Sequence, residues 1–110
     1  MDEKAVMICL QIITNTGSAK SSYIEAIQKA KAGDFEGAEE KMNEGDEFYK
    51  EAHEIHTSLI QQEAAGEKVE FSLILMHAED QMAGTEMAKV MAREMIELYQ
   101  KTVFAAGKEN

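Results

Sequence analysis

The sequence predicts an all-α fold, an antiparallel up-down-up bundle of three helices, on three observations. There is no proline in the 110 residues, and Ala, Glu, Lys, Gln and eight methionines dominate the composition, all of them good helix formers. Apolar residues recur at helical spacing along nearly the whole chain. Two glycine-containing joints, at Gly33 and Gly66, divide that pattern into three long segments.

The first helix is expected over residues 2–32. Ala5, Cys9, Ile12, Thr16, Ala19, Tyr23, Ile27 and Ala30 share one face. Gly17 weakens this helix by about 1 kcal/mol relative to Ala, but the stripe keeps its phase across it, which favours one continuous helix. Gly33 suits a helix C-terminus and Asp34 an N-cap. The second helix then spans residues 34–65, with a stripe of Phe35, Ala38, Met42, Gly45, Tyr49, Ala52, His56, Leu59 and Ile60. After Gly66 and a polar joint, Ser72 caps a third helix over residues 72–101. Residues 1–104 form one domain, and residues 105–110 read as a frayed tail. Helices of this length would reach roughly 45 Å at 1.5 Å per residue, and short joints make them antiparallel neighbours.

The third helix carries more apolar surface than one bundle uses. His77, Asp80, Gly84, Met87, Met91, Met95 and Leu98 fall in one narrow stripe, while Leu75, Met82, Val90 and Ile96 point elsewhere. Two apolar sides on one helix predict self-association through that helix.

Charge and cysteine use narrow the function. A formal net charge of −10 argues against nucleic acid and against an anionic membrane surface as partner. The single cysteine, Cys9, lies on the apolar stripe and is expected as a buried free thiol. No segment has the length and apolarity of a membrane span, and the N-terminus lacks a secretory pattern, so the expected location is cytoplasmic, without membrane insertion.

The chemistry is concentrated between Ser72 and Met82, an apolar run interrupted by His77 and, three residues later, Asp80. At i, i+3 these two side chains share a helix face. A neutral imidazole nitrogen is a competent nucleophile toward phosphorus, and phosphoryl transfer asks for positioning more than for covalent machinery. The alternative for His77 is a core histidine hydrogen-bonded across the bundle. Asp80 is either a solvated carboxylate or, where several copies meet, a ligand for a hard cation. His53 and His56 have ligand-like spacing, but nothing completes a site, and a structural role is favoured for both. Glu-x-x-His pairs of the di-iron type are absent.

Taken together, several segments resemble the EIIA component of the lactose/cellobiose/chitobiose branch of the bacterial sugar phosphotransferase system. They are Ile12 and Ile13 with Gly17 and Ala19; the run from Ala30 to Phe35 with Ala38; Glu51 to His53 with Thr57 and Leu59; Glu63, Ala64, Gly66 and Lys68; and Ser72, Leu73, His77, Ala78, Asp80 and Met82. The resemblance implies a phosphotransferase component acting as a phosphoryl carrier, in which His77 accepts phosphate from phospho-HPr and donates it to a cysteine of a cognate EIIB. A β-linked disaccharide would then be phosphorylated during import. It further implies a homotrimer, with Asp80 of each copy around Mg²⁺ or another divalent cation on the threefold axis. Three positions depart from the usual pattern: Glu79 where Gln is common, Gln81 where His is common, and His56 where Gln is common. The changes at Glu79 and Gln81 bear on partner choice and on how readily His77 is phosphorylated. Two other readings are a helical adaptor, suggested by residues 33–38 but lacking a second repeat, and an oligomeric bundle without phosphotransfer.

Overall fold

In the computed structural model, residues 2–109 are described. They form three helices, α1 (Glu3–Lys31), α2 (Phe35–Ala64) and α3 (Leu73–Glu109), and no strand occurs among them. The molecule is a rod of 63 × 21 × 19 Å.

Each helix begins with the same device. The side chain of Asp2 accepts from the Ala5 amide at 2.8 Å, Asp34 from Gly37 at 2.8 Å, and Ser72 from Leu75 at 3.1 Å. Each bond satisfies one of the amides that a helix start leaves without an intrahelical partner. The two internal C-termini also match. Gly33 and Gly66 adopt φ of 86° and 88°, in the left-handed region that glycine occupies without a Cβ penalty. The next residue then closes the turn in both cases, Asp34 N–H donating to Lys29 C=O at 2.9 Å and Glu67 N–H to Gln62 C=O at 3.1 Å.

Helix α1 is the centre of the bundle. It packs broadly on both α2 and α3, whereas those two touch each other little. Its buried residues include Cys9, Ile12, Thr16, Ala19, Tyr23, Ala26 and Ala30. One cluster joins Tyr23, Ala26 and Ala30 to Met42 of α2 and Ile96 of α3; the other joins Cys9 and Ile12 to Ala52, Leu75, Ala78 and Met82. Small residues dominate these contacts and let the helix backbones approach closely. Gly17 lies within an unbroken α1, and a Cβ built there would meet nothing within 4 Å.

Tyr23 is the largest fully buried side chain. Its ring lies over Gly45, where a Cβ would stand 2.5 Å from the ring carbon Cε1. Its hydroxyl donates to Asp46 at 2.7 Å, and Lys89 of α3 pairs with the same carboxylate oxygen at 3.0 Å. Burial, followed by the hydrogen bond to Asp46 and its charge, pushes the Tyr23 phenol well above the ordinary tyrosine range.

The third helix differs from the sequence expectation at its end. It runs to Glu109 and does not stop at Lys101, because residues 102–106 contain neither glycine nor proline and nothing there breaks the helix. The tail expected to fray is therefore helical over 105–109, and Asn110 lies outside the described residues. No described helix is long and apolar enough to cross a membrane.

Glycine replacements should separate the two environments. Gly45→Ala forces a methyl group into the Tyr23 ring and should cost about 1–3 kcal/mol, the range for overpacking a core. Gly17→Ala fills open space in a helix interior and should add roughly 0.5–1 kcal/mol. Urea denaturation of the two variants and the parent checks both signs.

Candidate phosphorylation site

Helix α3 turns Leu75, Ala78, Met82, Thr85, Ala92 and Ile96 into the core. Thr85, the one polar member of that set, is satisfied by donating its hydroxyl to the Thr16 carbonyl at 3.2 Å. The stripe containing His77 and Asp80 lies on the other side of the helix. His77, Asp80, Gly84, Met87, Met91, Met95 and Leu98 are all exposed, Met87 to 60% and Leu98 to 63%. Leu73, at 83%, extends the same stripe by one turn toward the N-terminus. His77 is thus not a core histidine. Its imidazole stands in solvent on an apolar surface, without a hydrogen-bond partner among the described residues. Asp80 is likewise exposed and unpaired among them, one turn away on the same face. Of the four residues expected to point away from the stripe, Leu75, Met82 and Ile96 are buried, while Val90 remains 52% exposed on its flank.

The other two histidines have structural partners. His53 stacks on Tyr49 with ring centroids 6.2 Å apart and planes inclined by 19°. His56 Nε2 lies 2.7 Å from Glu79 Oε1 and links α2 to α3. Cys9 is a buried free thiol, as expected; burial first, and the charge of Glu79 second, push it above the ordinary thiol range. No group of three or more His, Cys, Asp and Glu among the described residues of one chain converges on a metal position. A site at Asp80 would draw one carboxylate from each of several copies. An exposed carboxylate without a protein partner is the oxygen donor a hard divalent cation takes, so the residue present fits that use.

The sequence did not reveal the His56–Glu79 contact. Two of the three departures from the family pattern face each other across the α2–α3 seam, 23 positions apart, and only the packing of the helices brings them together.

Residues 7–100 match the family described as PTS system, Lactose/Cellobiose specific IIA subunit. The chain belongs to this family. The lichenan-specific phosphotransferase enzyme IIA component of Bacillus subtilis (strain 168) is 45% identical over 107 residues, covering 97% of either chain. Among solved structures, the cellobiose-specific enzyme IIA from Bacillus anthracis superposes with a TM-score of 0.89 at 43% identity, over 93% of this chain and 94% of that one. The IIA(chitobiose) of Escherichia coli, solved in complex with HPr, gives 0.79 at 33% identity, over 92% and 98%. As a IIA subunit of the lactose/cellobiose type, this protein is a component of a sugar phosphotransferase system, and its helical bundle is the fold of those relatives.

Proposed function

We propose that this IIA subunit is a cytoplasmic phosphoryl carrier, with His77 as the residue that is transiently phosphorylated. The observation that carries the reading is the exposure of an unpartnered imidazole on an apolar helix face in a chain of this family. A neutral ring nitrogen of His77 attacks the phosphorus of phospho-HPr; the new N–P bond forms as the donor's bond to phosphorus breaks. In the second step a thiolate of the cognate EIIB takes the phosphoryl group, and the His77 ring is released unchanged. The product would be a β-linked disaccharide phosphorylated on import by the later components. The IIA(chitobiose) relative was solved with HPr bound, which supports HPr as the donor. His77 is exposed beside Leu73 and Met76 as well as Asp80, so a partner can approach closely and exclude water from the transferring group.

The same face is proposed as a homotrimer contact. Exposed Leu73, Met87, Met91, Met95 and Leu98 follow one stripe along α3, and three such stripes cover one another around a threefold axis. Asp80 of the three copies would then converge on that axis, where Mg²⁺ or another divalent cation would hold them. The cation's contribution is to neutralise three carboxylates that otherwise repel.

Incubation with phosphoenolpyruvate, EI and HPr, followed by intact-protein mass spectrometry, tests the carrier role. One acid-labile phosphoryl group per chain is expected on the parent and none on His77→Gln. An unmodified parent beside an active HPr control would contradict the reading and leave a bundle without phosphotransfer.

The metal assignment is tested separately. Asp80→Asn should lower the divalent metal retained after dialysis, read by elemental analysis, while leaving a trimer. Unchanged metal content would remove Asp80 from the ligand set.

A further inference from the structure

Helices α2 and α3 meet across a ladder of polar pairs. Between them lies an open groove of about 650 Å³. Asp46 pairs with Lys89 at 3.0 Å and His56 Nε2 meets Glu79 Oε1 at 2.7 Å, with Tyr49 and Glu86 lining the groove between these pairs. The two pairs keep one register: ten residues forward along α2 are matched by ten back along α3, as antiparallel helices require. Arg93 and Glu39 form a third pair at the far end. The His56–Glu79 rung lies nearest the N-terminus of α3. It falls on the turn that bears His77 and Asp80.

That placement matters for charge. Phosphorylation of the imidazole brings roughly two negative charges to this turn. Asp80 already adds one, and Glu79 a second, within about one Debye length of the imidazole. Side chains two apart on a helix point in different directions, and a partner on α2 can fix Glu79 in the orientation that faces away from His77. His56 does so with a short hydrogen bond, from a side chain only 15% exposed to a carboxylate 51% exposed. Without His56, the three rotatable bonds of Glu79 would free its carboxylate to approach the incoming phosphoryl group.

We infer that His56 is a positioning residue for phosphoryl acceptance, acting by holding the Glu79 carboxylate on the α2 side of the helix that presents His77. The inference rests on His77 being the acceptor and deepens that reading by naming what tunes it. His56 touches no reacting atom, and its influence is exerted through Glu79.

The test is the rate of phosphoryl transfer from phospho-HPr, at saturating and limiting donor, for the parent and four variants. His56→Ala should lower kcat by roughly three- to tenfold, the weight of one nearby, partly screened charge, with the donor's KM unchanged. Glu79→Gln should restore the rate in the His56→Ala background and leave it unimpaired in the parent. His56→Gln, whose amide can still donate to Glu79, should stay close to the parent. The loss in His56→Ala should also shrink at 1 M salt, where charges are screened beyond about 3 Å. A His56→Ala protein as fast as the parent overturns the inference while leaving His77 as acceptor. So does a slow His56→Ala that Glu79→Gln fails to rescue, since His56 would then be merely structural. A parent that accepts no phosphoryl group at all removes both the inference and the reading beneath it.

Discussion

The structure depends on α1 burying two sides at once. Cys9, Ile12, Ala19, Tyr23 and Ala30 supply both core clusters, and each outer helix reaches the core chiefly through α1. Tyr23 shows how tight this arrangement is. Its ring requires a glycine at position 45 of α2, and its hydroxyl shares Asp46 with Lys89 of α3. One side chain of the central helix thus fixes the placement of both neighbours. A buried phenol without that acceptor would leave an unsatisfied donor, which costs about 1–3 kcal/mol.

A bundle organised around α1 leaves α3 with a second side free. Its inward residues are small or aliphatic and are consumed by the core, while its outward residues include Met87, Met91 and Leu98, all substantially exposed. Methionine suits such a face, because an unbranched thioether adapts to different partners. His77 and Asp80 lie at one end of this stripe. A rigid helix therefore presents His77 to solvent, and the apolar surface beside it can serve contacts with other chains. This division of α3 into a core side and a contact side is the physical basis of the carrier and trimer proposals.

Much of this was legible in the sequence because it is encoded locally. Glycine at a C-terminus and Asp or Ser at the next N-terminus locate both joints, and the same residues cap the helices in the structure. The apolar phase of α3 separated His77 and Asp80 from Leu75, Met82 and Ile96. The end of α3 was less legible, since residues 102–106 carry no stop signal and the helix continues to Glu109. Ser22 and Ala26 were missed as core members because α1 buries a face wider than one stripe. The pairs Glu79–His56 and Lys89–Asp46 could not be read at all. Their partners are distant in sequence, and only the antiparallel register of α2 on α3 decides which charges meet.

The proposed trimer covers the outward side of α3, and sedimentation equilibrium of the purified protein at micromolar concentration tests that most directly. A mass of three chains is predicted, because three stripes around an axis cover the exposed methionines and gather the Asp80 carboxylates. A mass of one chain across that concentration range would contradict it, leaving the stripe bare and Asp80 without neighbours to share a cation.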